Sequence, residues 1–522
     1  MRIKLILSLT GTILAFFGLS FIFPILVGLY MGEQYMNIFW MFGLPMLISL
    51  FLGIFLHNYF HSEQDIRNRE AFLLVTVVWI LMVIVGALPF IATEELLLMS
   101  YEIGIAGAIF ESMSGLSTTG ATVLDLESSN PVNLEQYEEG YFDAPKSLLL
   151  WRSQMQWLGG MGIIVLATII FSRLFGGGIQ VLQAEMPGTG ITRLKPQMAQ
   201  TARLLWSLYF FMTLVEIALL STLAKVPLYD SICTSFSTVS TGGFSPQRDS
   251  IGSYDSPLAI GIVSFFMLIS GINFVILYYV FNNLIDFTHK LSDRFKSSFK
   301  ILRENEELLF YLNLVLLSFS LIFINLILDR NNEHSNFSNL LHSFFQTVSL
   351  LTGTGFTTTN YMDWPEMSIF VLLLAMFTGG CAGSTTGGIK MVRIMLLFKA
   401  LKRELILVIH PRAVIKLRIG DKVLNEDLFR NVGVFFFIFI ILFLLGSLTT
   451  LYLEPNLSLI DGISISLSCL ANIGPGIGAI GPTETYSLFG NTTLIFLSAL
   501  MMLGRLEIIT VLLLFYPDTY RD

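Results

Sequence analysis

The sequence predicts an all-α integral membrane protein of about ten transmembrane helices, with four pseudo-symmetric helix–pore loop–helix repeats around one pore. Three observations lead there: the composition, a series of apolar runs of spanning length, and a glycine-centred motif that occurs four times. Of 522 residues, 54% are hydrophobic and 13% charged, against roughly 25% charged in an ordinary soluble domain. The mean hydropathy is +0.72. So little charge cannot cover a water-soluble body of this size, which argues against a globular enzyme. The formal net charge of −8 argues against a nucleic-acid partner, because that affinity comes from clustered Lys and Arg on phosphates. Cys233, Cys381 and Cys469 are odd in number and far apart, so they offer neither a disulfide framework nor a zinc spacing. His57 and His61 stand one turn apart without a third ligand nearby and read as the polar exit of a membrane helix.

Apolar runs occur at 5–30, 37–57, 71–92, 148–175, 204–224, 258–285, 308–328, 367–398, 432–453 and 488–515. Each reaches the roughly 20 residues that a helix needs to cross about 30 Å of hydrocarbon. The first is too long for a signal peptide and lacks a small-residue cleavage pattern, so it reads as a retained anchor. Basic residues set the orientation. With both termini cytoplasmic, the inner face receives Arg2, Lys4, Arg67, Arg69, the loop around 286–307 and the stretch Lys390 to Arg430. The outer face then keeps Lys146, Arg152, Lys225, Arg248 and Arg330, the asymmetry expected of a cytoplasmic-in topology. The outer segment 125–143 is acidic, with Asp125, Glu127, Glu135, Glu138, Glu139 and Asp143; it is either a solvated loop or a vestibule that concentrates cations.

Four shorter apolar segments lie near 104–116, 229–239, 340–351 and 461–471. At about 1.5 Å per residue each crosses half a bilayer, so each is a re-entrant half-helix. The stretches that follow are SGLSTTGATVL, STVSTGGFSP, SLLTGTGFTTT and CLANIGPGIGA. Aligned on Gly120, Gly242, Gly355 and Gly474, they form a fourfold internal repeat. Backbone turning back at membrane depth survives only where it is buried in protein or lines a water-filled cavity. Glycines and small hydroxyl residues allow a strand that includes positive φ, and four such strands around one axis would present carbonyl oxygens in place of a cation's hydration shell. Each half-helix would aim the negative end of its dipole at that cation. Asp230 and Asp461 stand at the expected N-termini of two half-helices, where carboxylates act as caps.

These residues resemble the Trk, Ktr and HKT superfamily of potassium transporters, most closely the bacterial TrkH type. The resemblance covers nearly the whole chain: two extra N-terminal helices over 1–66, then pore repeats over 67–190, 191–300, 301–420 and 421–522. It implies ion-coordinating strands at Thr118, Thr119 and Gly120; Ser240, Thr241 and Gly242; Gly353, Thr354 and Gly355; and Asn472, Ile473 and Gly474. A glycine at each key position is similar to the potassium-selective members, whereas sodium-conducting plant relatives carry serine in the first repeat.

The eighth span is broken by TGGCAGSTTGGIK. Its many glycines, each about 1 kcal/mol worse than alanine in a helix, predict a non-helical segment. It is not a phosphate loop, because Ile389 separates Lys390 from the preceding glycines. The resemblance implies an intramembrane gate built from Gly379, Gly380, Gly383, Ser384, Thr385, Thr386, Gly387, Gly388 and Lys390, with Arg505 near the pore beneath the filter. Arg505 sits inside the last span, where a charge is expensive and faces a cavity or a partner. Glu507 is expected to point away from it on a continuous helix. Glu216 is a second intramembrane charge that would pair with Arg505 or bond a polar neighbour.

The resemblance also implies a homodimer in the bacterial inner membrane, bound to a cytoplasmic nucleotide-binding regulatory subunit of the Trk type. This chain carries no nucleotide fingerprint and is expected to need no cofactor, potassium being its substrate. Three functions remain open at this point: potassium uptake, either channel-like or as symport coupled to protons or sodium; an intramembrane enzyme, which lacks a nucleophile–base pair or a metal set; and a scaffold that no longer conducts.

Overall fold

The computed structural model describes residues 2–60, 68–96, 98, 102–124, 140–174, 194–285, 290–329, 335–413, 415–420, 422–423 and 426–517. Two apolar helices lead: α1 (Ile3–Leu19) runs on into α2 (Ile22–Tyr30), and α3 (Leu44–Tyr59) follows a π-helical turn at Phe39–Gly43. α1 and α3 cross through Gly11 and Gly53, so closely that a Cβ on Gly53 would lie 2.7 Å from the Gly11 carbonyl oxygen. Between lipid-facing helices, where no hydrophobic difference drives association, small residues of this kind allow the backbones to touch. His57 uses this crossing as well, its Nδ1 lying 3.0 Å from the Thr12 hydroxyl; His61 lies outside the described residues.

Four groups follow, each with a short helix between longer ones. α4 (Asn68–Glu95), α5 (Gly104–Leu116) and α6 (Lys146–Leu174) form the first. The second has α7 (Leu194–Thr222), α8 (Leu228–Val239), α9 (Pro257–Ser270) and α10 (Phe274–Ile285). A connecting helix α11 (Leu291–Glu304) leads to the third, with α12 (Glu306–Leu328), α13 (Asn336–Leu351), α14 (Glu366–Met376) and α15 (Met391–Ile409). A two-stranded hairpin, β1 (Arg418–Ile419) and β2 (Lys422–Val423), precedes the fourth, with α16 (Glu426–Leu453), α17 (Leu459–Ala471), α18 (Asn491–Arg505) and α19 (Ile509–Leu512). The short helices α5, α8, α13 and α17 fall on the four apolar segments expected to be half-helices.

Burial follows the membrane pattern. On α3, α12 and α16, Phe51, Leu316, Phe437 and Leu448 are exposed, as side chains facing hydrocarbon should be. The polar residues Glu111, Arg152, Thr241, Asn472 and Arg505 are buried inside the bundle. Among the described residues, six helical stretches are long and apolar enough to span, counting α1 with α2 and the π-helical turn with α3.

Three of the expected spans are not continuous helices. The run 258–285 bends by 111° between α9 and α10. There the Asn273 side chain accepts from Val275 N at 2.8 Å and the Gly271 carbonyl accepts from Cys381 N at 2.8 Å, so partners outside the helical ladder hold the break. The run 367–398 opens between α14 and α15, as its glycines predict. The run 488–515 stops at Arg505, and Glu507 and Ile508 turn through φ of 62° and 47° before α19. The expectation that Glu507 continues the helix of Arg505 is therefore corrected.

Overpacking a close crossing costs about 1–3 kcal/mol. Gly53→Val is therefore expected to lower the thermal midpoint of the detergent-solubilised protein by several degrees, as read by scanning fluorimetry of its tryptophans.

Candidate ion pathway

The four half-helices end alike. Within two residues of each helix end the chain turns left-handed, at Thr118 (φ 53°), Thr241 (53°), Gly353 (69°) and Asn472 (57°). Two residues further a glycine is left-handed again, at Gly120 (83°), Gly243 (80°), Gly355 (84°) and Gly474 (97°). Between them, one amide reaches back to a serine carbonyl in the last turn: Thr119 N to Ser114 O at 2.9 Å, Gly242 N to Ser237 O at 2.7 Å, Thr354 N to Ser349 O at 2.8 Å and Ile473 N to Ser468 O at 3.0 Å. This is the bond that closes a Schellman helix end, and it sends the chain out of each half-helix at a fixed angle.

The same geometry corrects the second strand. Its left-handed glycine is Gly243 rather than Gly242, so the equivalent triplet is Thr241, Gly242 and Gly243. Ser240 still closes the half-helix, its hydroxyl donating to Phe236 O at 2.7 Å. Two adjacent glycines leave the register open, but a serine stands six residues before the key glycine in every repeat: Ser114, Ser237, Ser349 and Ser468. That spacing was the available sequence signal.

The strands meet in cyclic order. A Cβ added to Gly120 would strike the Gly242 carbonyl oxygen, one on Gly243 that of Thr354, and one on Gly355 that of Ile473. One on Gly474 would lie 2.6 Å from the Thr119 carbonyl oxygen, which closes the ring. The Asn472 amide adds a bond across the same seam, donating to Thr119 Oγ1 at 3.0 Å and to Met501 O at 2.9 Å. At one end of the ring Gly120, Gly243, Gly355 and Gly474 line an open vestibule that also includes Arg152, Arg248 and Glu484. Asp125, Glu127, Glu135, Glu138 and Glu139, expected to be near this mouth, lie outside the described residues; Asp143 is described and buried.

Asp461 caps its half-helix as expected, and Asp230 has partners of a different kind. Asp461 forms a capping box with Ser458 and accepts Ala479 N at 2.8 Å. Partial burial pushes its carboxyl up, but the Ser458 hydroxyl and the amides of Ala479 and Ser458 outweigh that and hold it below its ordinary value. Asp230 receives the Tyr141 hydroxyl at 2.9 Å and the Gln247 amide at 3.2 Å, tying two loops together.

The opposite end of the ring abuts the segment between α14 and α15. Thr385 puts its hydroxyl 3.3 Å from that of Thr241 and donates to Val239 O at 3.1 Å, at the C-terminal end of α8. Gly387 lies against α17 and the fourth strand so tightly that a Cβ there would be 2.9 Å from Asn472 Cβ. The segment folds on itself through Gly379 N to Ile389 O (2.9 Å), Gly380 N to Thr386 Oγ1 (2.8 Å) and Ser384 Oγ to Cys381 O (2.6 Å). Gly383 and Gly388 supply φ of 76° and 66°. Lys390 points inward, its ammonium 2.5 Å from Thr386 O. The bend between α9 and α10 cradles the segment: Phe274 N donates to Gly383 O at 3.2 Å.

Two carboxylates also hold this segment, Glu307, which sequence reasoning did not single out, and Glu507, which it placed on a continuous helix with Arg505. Glu307, buried at the start of α12, accepts Ala382 N at 2.6 Å and Val392 N at 3.1 Å. Glu507 pairs with Arg393 of α15 at 2.5 Å, and the Arg393 guanidinium lies 3.8 Å from the Phe435 ring centre. Neither partner is near in sequence, so neither pairing leaves a local signature. Arg505 is 3% exposed and donates Nη1 to Thr385 O at 2.9 Å; its Nε and Nη2 have no hydrogen-bond partner among the described residues. Glu216 does not pair with it. Neither Glu216 oxygen has a hydrogen-bond partner among the described residues, and the neighbouring Thr238 hydroxyl donates to Thr234 O at 2.8 Å.

The comparisons with known proteins agree with one another. The family described as TrkH, cation transport protein, matches residues 41–520. The chain is 35% identical over 528 residues to the Trk system potassium uptake protein TrkH of Salmonella typhimurium, covering all of both chains. It is 31% identical over 532 residues to the Trk system potassium uptake protein TrkG of Escherichia coli, covering all of this chain and 99% of that one. The crystal structure of the potassium transporter TrkH from Vibrio parahaemolyticus superposes with a TM-score of 0.83 at 31% identity, over the whole of both chains. With four equivalent strands closed into a ring inside a multi-pass membrane bundle, and full-length matches in both sequence and structure, the chain belongs to the TrkH family of cation transport proteins.

Proposed function

We propose that the protein takes up potassium through the ring of glycine strands, with the segment between α14 and α15 as its gate. It is a transporter and not an enzyme. The observation that carries the reading is the cyclic contact of Gly120, Gly243, Gly355 and Gly474 with the carbonyl oxygens of the neighbouring strands. Four strands of one conformation place the carbonyls of Thr119, Gly242, Thr354 and Ile473 around one axis, where they replace the water shell of a dehydrated cation. The half-helices direct the negative ends of their dipoles to the same place. The potassium uptake named for the relatives is the activity this geometry performs, and a glycine in the first strand favours potassium over sodium.

The gate reading rests on position. The 377–390 segment closes the end of the ring opposite the vestibule, and it is continuous with α15. Arg505 adds an electrostatic barrier. Two like unit charges about 5 Å apart repel by about 3 kcal/mol at an effective dielectric near 20, which corresponds to roughly a hundredfold in rate. Glu307 and Glu507 hold the first turn of α15 from two sides, so a pull on α15 reaches the gate directly. Regulation enters at the far end of α15. Halfway along α15, Lys399 pairs with Glu306 and donates to Arg418 O at 2.7 Å, which gives the basic stretch a fixed base for docking. A cytoplasmic nucleotide-binding subunit fits that surface, and nucleotide sensing then resides in the partner. The protein works as a homodimer in the bacterial cytoplasmic membrane with both termini inside, the orientation the basic loops favour.

Three measurements test this reading. Gly120→Ser and Gly243→Ser are each expected to lower the potassium-to-sodium flux ratio in proteoliposomes at least tenfold, equivalent to about 1.4 kcal/mol; an unchanged ratio in both refutes the filter assignment. Arg505→Ala should raise basal rubidium flux tenfold to a hundredfold at equal insertion, and flux at the wild-type level removes the barrier. In a Cys233→Ser, Cys469→Ser background, Glu307→Ala should expose the buried Cys381 to a membrane-permeant maleimide; labelling no faster than with Glu307 intact refutes the hold of Glu307 on the segment.

A further inference from the structure

The four strands share one backbone, but they are not held from behind in the same way. The third and fourth are braced by neutral hydroxyls. Ser349 Oγ donates to Phe356 O at 2.7 Å; Ser468 Oγ and Tyr486 Oη donate to Gly474 O at 2.6 and 2.9 Å; and Tyr361 Oη donates to Gly476 O at 2.7 Å. The first and second share a buried ion pair instead. Glu111 of α5 is fully buried, and its Oε1 lies 2.6 Å from Arg152 Nε of α6, itself 1% exposed. The carboxylate also accepts Val123 N at 3.0 Å and the Thr122 hydroxyl at 3.1 Å, both just past Gly120.

The guanidinium carries the contact across to the next strand. Arg152 Nη2 donates to Thr122 Oγ1 at 2.9 Å and Nη1 to Ser245 O at 3.4 Å, while its Cζ lies 4.2 Å from the Phe244 ring centre. One turn along α6, Gln156 donates to Gly242 O at 2.6 Å and accepts Phe244 N at 3.0 Å. A planar fork fixed at both ends sets a distance, which the compact, rotatable ammonium of a lysine does not. Here it spans the seam between two adjacent quadrants of the ring.

The geometry assigns Glu111 and Arg152 as positioning residues for ion selectivity: together they fix the separation of the first two filter strands without touching the ion. This rests on the filter reading above. Discrimination between cations depends on the size and stiffness of the carbonyl cage. Loosening one seam therefore admits the smaller sodium ion. A pair that served only to fold the chain would, when weakened, reduce the amount of protein or the flux of every ion alike.

The test is the potassium-to-sodium flux ratio of the full chain in proteoliposomes, for Glu111→Gln, Arg152→Lys and Thr122→Val. The valine variant removes only the hydroxyl shared by the two ions and keeps its volume. At least a fivefold fall in the ratio, with sodium flux per inserted protein raised, is the expected result. A wild-type ratio with both fluxes reduced in proportion overturns the assignment. If Glu111→Gln and Arg152→Lys do not insert, Thr122→Val decides, and a wild-type ratio there also overturns it. Gly120→Ser measured alongside separates the two failures: if it loses selectivity while the pair variants keep it, only this inference falls, and if it keeps selectivity the filter reading falls too.

Discussion

Peptide groups that leave a helix in the middle of a hydrocarbon layer must find partners inside the protein, because no water is there to take them. The four half-helices meet that demand with one device. A serine carbonyl in the last turn accepts the amide of the residue just before the glycine, and the chain then leaves through a left-handed residue. This fixes amides without occupying every carbonyl, and the remaining oxygens are what a permeating cation needs. The ring of strands is thus a consequence of terminating four helices at depth by the same bond.

The intramembrane segment obeys the same demand with different partners. Its amides and carbonyls are met by Gly271, by the backbone of the α10 start, by Glu307 and by Arg505, which come from the second, third and fourth groups of helices. The bend in the sixth apolar run is therefore no isolated irregularity. It is the receiving half of the break in the eighth, and each supplies what the other lacks. Because the segment is continuous with α15, a displacement at the far end of that helix has a short mechanical path to Thr385 and the ring of strands. A buried ion pair is weak support for stability, since desolvation offsets the attraction. That balance directs attention to what Glu111 and Arg152 position.

Much of the site was legible before any coordinates. The half-helices follow from segment length, Gly120, Gly355 and Gly474 from the fourfold repeat, and the broken eighth span and the intramembrane arginine from the cost of glycine and charge at depth. The second strand slipped by one residue, because Thr241, Gly242 and Gly243 satisfy the pattern in either register and only the backbone bond from Gly242 to Ser237 decides. Glu507 was misplaced for a related reason. A helical continuation past Arg505 is locally acceptable, and only the pairing with Arg393 across the bundle makes the turn worthwhile. The roles of Glu111, Arg152 and Glu307 carried no local signal, since Glu111 and Arg152 meet across 41 residues and Glu307 reaches the Ala382 amide across 75.

The amino-acid order alone determined that this chain lives in a membrane, that it repeats four times and that it turns back at depth, because each of these depends on properties summed over one continuous segment. Only the tertiary structure decided which oxygens face one another, where helices stop and which distant charges meet. Those outcomes depend on distances of an ångström or less between segments far apart in the chain, and a local pattern contains no measure of them.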